Sequence, residues 1–357
     1  MVLQKPFVLA AMLLIACGGY SQTNTLKIDT SFYERYPRKL IISPFWVKTP
    51  VTYSIAAPGT ERTIRYYDNS PAGLGLRVGF DWLSVSAAFR TPIVDPDYHK
   101  QRGKTSNFNL QTTFAARKLL IDVYYQKTKG TFLRSDATPP YTTSNYYIRP
   151  DIKTNLLGVT GLFVFNGKRF SSRPPFKFDA WQKKSAGSFL SGIEFLTGTA
   201  SGDSALLPAA YNKMLPEQQI NKMTFLLLGP SAGYGHTFVI RKHLFITAIA
   251  SVNADIGRVK EYTIRQGETP YKRWRFDPNV NFRGGIGYNK RDWELALSYF
   301  TKRIFYTGQT NSRRYGINYS DYRLSYTRRI QAGKTIPKVV DWAGNIIDKL
   351  GLGFLIR

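Results

Sequence analysis

The chain has 357 residues, 43% of them hydrophobic and 15% aromatic, and its 50 Lys and Arg against 23 Asp and Glu leave a net charge of +27. Its single cysteine, Cys17, excludes disulfides and Cys-based zinc sites within the chain. No apolar run beyond the N-terminus reaches the ~18 residues of a helical membrane span, so a β-rich protein remains, either a soluble sandwich or a membrane barrel.

In chain order, Lys5 precedes an apolar run at 6–16 and the small residues Gly18, Gly19 and Ser21, which is the layout of a secretory signal peptide over 1–21. The run is about half a bilayer span, so export and removal are expected rather than anchoring. A lipoprotein signal, with Leu14, Ile15 and Ala16 leading to a lipidated Cys17, is the alternative. Residues 22–38 are polar and read as an extended periplasmic leader.

From residue 39 to 330 the dominant pattern is period two. Leu83, Val85, Ala87 and Phe89 share one face, as do Leu119, Ile121, Val123 and Tyr125. Leu244, Ile246, Ala248, Ala250 and Val252 oppose Thr247, Ser251 and Asn253, and Trp293, Leu295, Leu297 and Tyr299 oppose Glu294, Ala296, Ser298 and Phe300. An apolar face set against a small or polar one fits lipid outside and a polar lumen inside. Tight reversals are expected at 81–82, 117–118, 166–167, 241–242 and 289–292, and long polar connections at 50–72, 91–104, 133–151, 200–221, 257–273 and 307–313. Short and long connections alternate, as they do in barrels with short periplasmic turns and longer external loops. The fold class expected is all-β, a transmembrane antiparallel up-and-down β-barrel of about twelve strands with both ends on the short-turn side. In the tail at 331–357, Pro337 followed by Val339, Ala343, Ile346 and Leu350 at helical spacing, with Gly351 as a stop, predicts a short C-terminal amphipathic helix on the periplasmic side.

The segment FNGKRFSSRPPFKFDAWQKKSAGSFLSGIEF, with YYIRPDIK before it and NSPAGLGLRVGFDWLSVSAAF earlier, resembles a Bacteroidota family of outer-membrane barrels catalogued as a domain of unknown function. The most specific stretch is Phe170 and Ser171 followed by Gln182, Lys183, Lys184, Ser185, Ala186, Gly187, Ser188 and Phe189. The resemblance implies a barrel in the outer membrane of a Gram-negative cell and no assigned reaction. Read from its residues alone, the stretch around Pro174 and Pro175 is an irregular segment before a strand re-enters at Phe189, Ser191, Ile193 and Phe195. It serves either as a constriction in the lumen or as a corner needed for closure.

Export makes nucleic acid an unsuitable partner for the positive charge, and leaves outer-membrane lipids, lipopolysaccharide phosphates or an envelope protein. Lys100, Arg102 and Lys104 in one loop, and Lys272, Arg273 and Arg275 beside Trp274 in another, are candidates for anionic lipid or glycan contact. Asp122, Glu194, Asp255 and Glu294 are expected to face the lumen and balance its basic groups. No metal or cofactor motif occurs, so no cofactor is expected. The function expected is a pore, transport or structural-interaction protein of the cell envelope. The alternative is a lipid-modifying enzyme, hydrolase or acyltransferase, for which His236 is the base to test beside a nucleophile.

Overall fold

The computed structural model describes residues 28–36, 38–56, 63–81, 83–90, 98–115, 118–133, 146–208, 219–264, 267–268, 274–308, 314–333 and 335–349. The expected export signal, Cys17 and the tail beyond 349 lie outside the described residues. The chain forms β1 (Tyr33–Arg35), β2 (Lys39–Lys48), β3 (Val51–Ala56), β4 (Thr63–Tyr67), β5 (Gly73–Phe80) and β6 (Leu83–Arg90). Helix α1 (Tyr98–Arg102) leads to β7 (Ser106–Ala115), β8 (Leu119–Leu133) and β9 (Tyr147–Val164). Helix α2 (Pro174–Lys177) and β10 (Ala180–Gln182) precede β11 (Ala186–Ser201), β12 (Ile220–Ile240), β13 (Leu244–Thr263) and β14 (Gly267–Glu268). Then come β15 (Arg275–Asn289), β16 (Trp293–Thr307), β17 (Arg314–Gln331) and the terminal helix α3 (Thr335–Lys349).

Strands β16, β15, β13, β12, β11, β9, β8, β4, β3 and β17 pair antiparallel in that order, and β17 pairs back with β16, closing a ten-strand barrel. The expected count of about twelve is too high for this ring, and the reason is local. β3 is preceded by β2 and β4 is followed by β5, so the wall widens at the short-turn end. There β6 and β7 are added, each paired on one side only, β6 with β5 and β7 with β8. Among the described residues no ladder joins β6 to β7.

Above these two strands the wall is carried across by a different kind of contact. Tyr67 of β4 pairs with Phe132 of β8. The Thr105 hydroxyl accepts from the Asn69 backbone N–H at 2.8 Å and donates to the Gly130 carbonyl at 2.9 Å, while the Asn69 side chain donates to the Gly103 carbonyl at 2.8 Å. Gly130 lies where the β8–β9 register shifts, with φ +87°, and a Cβ there would strike the Lys104 carbonyl. Only glycine takes both the backbone angle and the close approach without strain.

The outward face is the apolar one. Leu244, Ile246, Val252, Leu295, Leu297 and Leu324 are exposed on it, while the alternate positions Thr247, Ser251, Asn253, Glu294 and Ser298 are buried inside. Near the short-turn end the outward rings form a belt: Phe163 and Phe165 at 5.1 Å, Phe189 and Tyr234 at 5.2 Å, Tyr288 and Trp293 at 5.3 Å, and Trp293 and Tyr326 at 6.2 Å. Lys118 sits over Phe163 and Lys290 over Tyr288. Amphipathic rings with cations beside them suit the boundary between hydrocarbon and headgroups.

The strands flanking four of the expected tight reversals pair as hairpins, β5 with β6, β7 with β8, β12 with β13 and β15 with β16; in the three-residue connection between Ile240 and its partner Leu244, Arg241 and Lys242 both take positive φ. The fifth, at 166–167, is not a simple reversal. Asn166 starts a turn, its carbonyl accepting from Phe170 N–H at 2.9 Å, but the chain then continues to residue 185 before re-entering the wall. Pro174 and Pro175 preset the helical φ of α2 and turn the segment toward the lumen instead of back into the sheet. The leader does not hang free either, since β1 pairs with β10.

Candidate functional site

Segment 165–185 is a plug in the short-turn mouth. Its inner core is the ion pair between Arg173 and Asp179, both buried, with Arg173 Nε donating to Asp179 Oδ1 at 2.8 Å. Burial opposes the charge on Asp179, but the Arg173 guanidinium overcomes it and holds the carboxyl at about 2. Burial pushes the neighbouring Lys177 ammonium down to about 8. The Gln182 amide ties the ends together, accepting from Ser171 N–H at 3.0 Å and donating to the Arg169 carbonyl at 2.7 Å.

The barrel wall grips this plug through its backbone carbonyls. Phe178 has φ +63° at the end of α2, where the carbonyls lack helical partners. Arg329 of β17 donates to the Phe178 carbonyl at 2.5 Å and Arg77 of β5 to the Phe176 carbonyl at 2.8 Å, which places cations at the negative end of the turn. Asn289 donates to the Ala180 carbonyl at 3.1 Å, and Trp181 stacks on His243 at 5.2 Å with its indole N–H on the Lys242 carbonyl.

Above the plug the lumen is filled in two layers. The first is ionic and holds the carboxylates picked out by alternation. Asp122 pairs with Arg283 and Glu194 with Lys302, while Glu294, paired with Arg329, lies lower, at the level of the plug. Asp255 accepts from the Asn279 amide at 2.6 Å and has no ion pair among the described residues. Thr160 and Asn281 add hydrogen bonds of 2.8 and 3.0 Å to Glu194, so this layer is cross-braced over four strands. The expected polar lumen gives way in the second layer, toward the long loops, to apolar packing. There Tyr53, Tyr66, Phe225, Tyr306, Tyr315 and Met223 pack into an apolar cluster. Phe225 and Tyr306 are stacked at 4.4 Å, and the phenols are satisfied at Met223 Sδ, Leu206 O and Glu261 Oε1. Leu206 and Leu207 enter this cluster from the loop after β11, held by Arg149 on the Ala205 carbonyl. Alternation alone does not separate a tyrosine lining a wet channel from one packed in a dry interior.

A cavity of about 100 Å³ lies on the short-turn side, among Arg77, Ser84, Ser86, Gln111, Phe176, Lys177, Arg283, Asp321 and Arg323. The candidate basic contacts lie elsewhere. Lys100 and Arg102 are exposed on α1, with Arg102 over the Tyr146 ring at 5.0 Å, and Lys104 is exposed beyond it. Arg275 begins β15, while Lys272 and Arg273 are outside the described residues. His236 stands on the outward face between Tyr234 and Phe238, 3.2 Å from the Tyr234 hydroxyl, and no serine is its hydrogen-bond partner among the described residues. His243 donates its Nδ1–H to the Asn289 carbonyl, a structural bond. Among the described residues there is no cluster of metal-ligating side chains.

The model of the family described as "Domain of unknown function (DUF4421)" matches residues 27–327. No curated protein matches the chain. Among solved structures, the TodX monoaromatic hydrocarbon channel deltaS2 mutant aligns at 11% identity, over 82% of this chain and 91% of that one, with a TM-score of 0.30. The outer-membrane expressed OmpT of Vibrio cholerae aligns at 8% identity over 81% and 97%, with a TM-score of 0.28, and the P. putida toluene transporter TodX at 9% over 83% and 90%, with 0.26. At these scores the superpositions carry no argument about what this chain does.

Proposed function

We propose, from the premise that this chain belongs to the DUF4421 family, that it is an outer-membrane barrel closed to free diffusion, a gated transport protein and not an open pore. The outer membrane is supported by the closed ring, whose backbone groups are satisfied strand to strand, and by the apolar outward face with its aromatic belt. The observation that carries closure is the filled lumen: a plug pinned by Arg77 and Arg329, an ionic layer above it, and the tyrosine cluster above that. A ring of ten strands leaves an interior that side chains can fill. Export through the signal at 1–21 and contact of Lys100, Arg102, Lys104, Lys272, Arg273 and Arg275 with lipopolysaccharide phosphates belong to the same reading.

The test is conductance in planar bilayers. The intact protein should give no steady conductance, and a variant with residues 171–182 replaced by a flexible Gly–Ser linker should give one. Steady porin-like steps from the intact protein would refute closure. A second reading, a structural or interaction protein, is favoured by α3, which leaves Val339, Trp342 and Ile346 exposed while only Val340 of its large apolar residues is seen buried. Silence of the plugless variant as well would favour that reading.

A further inference from the structure

The unjoined edges of β6 and β7 and the cavity of about 100 Å³ are the same place. Ser84 and Ser86 on β6 and Gln111 and Thr113 on β7 line the cavity from the two sides of the seam, with Phe176 and Lys177 of the plug as its floor. Every β6 side chain described, from Ser84 to Phe89, is exposed, on the inward as well as the outward face, which a wall strand with two neighbours does not show. The Thr105 hydrogen bonds close the top of the seam, so it is bounded and sits in the half of the barrel nearer the short turns.

The chemistry on the two sides of the seam is opposite. Outside it, Val85, Phe89, Phe108 and Leu110 are exposed and apolar. Inside, the cavity carries Arg77, Lys177, Arg283 and Arg323 against one carboxylate, Asp321. Asp122 neutralises Arg283, and Arg323 lies 3.4 Å from Asp321. Arg77 and Lys177 have no ion-pair partner among the described residues, and Arg77 spends its one described hydrogen bond on the Phe176 carbonyl. A strand edge facing hydrocarbon is strongly unfavourable, since nothing there satisfies its N–H and C=O groups. Polar atoms therefore have to occupy the seam, and cations behind it select negative ones. The cavity has room for several waters at roughly 10–15 Å³ each, enough for a head group but not for an acyl chain.

We infer that the β6–β7 seam is a lateral binding site for an anionic amphiphile, whose carboxylate or phosphate enters the cavity to Arg77 and Lys177 while its acyl chain stays in the membrane along Val85, Phe89, Phe108 and Leu110. The inference rests on the strands spanning a membrane and adds to the closed barrel a door in its side. It gives the sealed lumen a route of access that crosses neither end.

The full chain is reconstituted in phosphatidylcholine nanodiscs and irradiated with diazirine-bearing palmitate, lysophosphatidic acid or hexadecanol, and adducts are mapped by peptide mass spectrometry. Adducts at 84–89 and 108–113 should be at least tenfold more abundant with one or both anions than with the alcohol, and which anion labels identifies a fatty-acid or phosphate source. The variant Arg77→Gln with Lys177→Gln should lose most of this labelling. So should Ser86→Cys with Gln111→Cys once oxidised, with recovery on reduction. If that disulfide does not form, Ser86→Trp blocks the cavity instead and should have the same effect. Equal labelling by the alcohol, or labelling that neither substitution changes, overturns the site. Failure of the protein to enter the bilayer overturns the membrane reading with it, whereas inserted protein without anion-dependent adducts overturns the site alone.

Discussion

Arg329 is the side chain through which wall and plug depend on each other, and its removal is the sharpest perturbation available. It is 2% exposed, donates to the Phe178 and Lys290 carbonyls at 2.5 and 2.7 Å and to Asn289 Oδ1 at 3.0 Å, and is ion-paired to the fully buried Glu294. Arg329→Met removes the charge while keeping much of the volume, which strands Glu294 and two carbonyls. Three lost hydrogen bonds at about 1 kcal/mol each, plus an uncompensated buried carboxylate, put the cost at roughly 3–5 kcal/mol. In the double variant Arg329→Met with Glu294→Gln no charge is stranded, so about 2 kcal/mol should return. Urea unfolding in detergent micelles, read by the loss of the compact, heat-modifiable band on gels, gives both numbers, and bilayer recordings of the single variant should show openings that the intact protein lacks. If the double variant is no more stable than the single one, the ion pair is not what fastens the plug.

Acid should loosen the plug in a defined window. The Asp179 carboxyl is held at about 2, below an unfolded value of about 3.9, so its contribution is complete above pH ~4 and is lost as pH falls through about 2. Hydrogen-exchange protection factors of residues 170–183, taken against the unstructured rate at each pH, should therefore be high at pH 5 and low at pH 2, and Asp179→Asn should make them low at both. Gly130→Ala should cost about 1–3 kcal/mol, because the residue has φ +87° and its Cβ meets the Lys104 carbonyl; a melting temperature unchanged within error would contradict the strain argument. Phe225→Ala, in the apolar layer with Tyr306, should cost about 3–5 kcal/mol by opening a cavity, measured by the same urea titration. An effect below 1 kcal/mol there would mean the layer is loosely packed.

Much of the wall was legible because a barrel strand separates two environments at every step. The faces read at Trp293, Leu295 and Leu297 and at Glu294, Ala296 and Ser298 follow directly from that alternation, and the strands on either side of four of the five expected reversals pair as hairpins. Arg241 and Lys242 are found by position, since neither residue type signals the positive φ they adopt. The plug was only half visible. Pro174 and Pro175 announce an irregular segment, but nothing local says that it folds inward, because its partners Arg77, Arg329 and Asn289 lie in distant strands. The strand count went astray for a related reason: β6 and β7 alternate like any wall strand, and the missing partner of each is a fact of pairing that no single strand encodes. Likewise, Tyr53, Tyr306 and Tyr315 carry the same residue type as the outward belt, and only the closed ring distinguishes rings on its outer face from rings stacked in the interior.

The plug is an insertion between β9 and β11, which are themselves neighbours, with Val164 paired to Leu190. Its two roots therefore stand on neighbouring strands of the same rim, Val164 opposite Leu190 and Ala186 four residues further along β11 toward its start. A cork held on two adjacent strings swings out as a flap and cannot be drawn away, and the leader hydrogen-bonded to β10 swings with it. Any opening at this mouth is then reversible by construction, and a force applied to the segment carrying β1 is delivered straight to the flap.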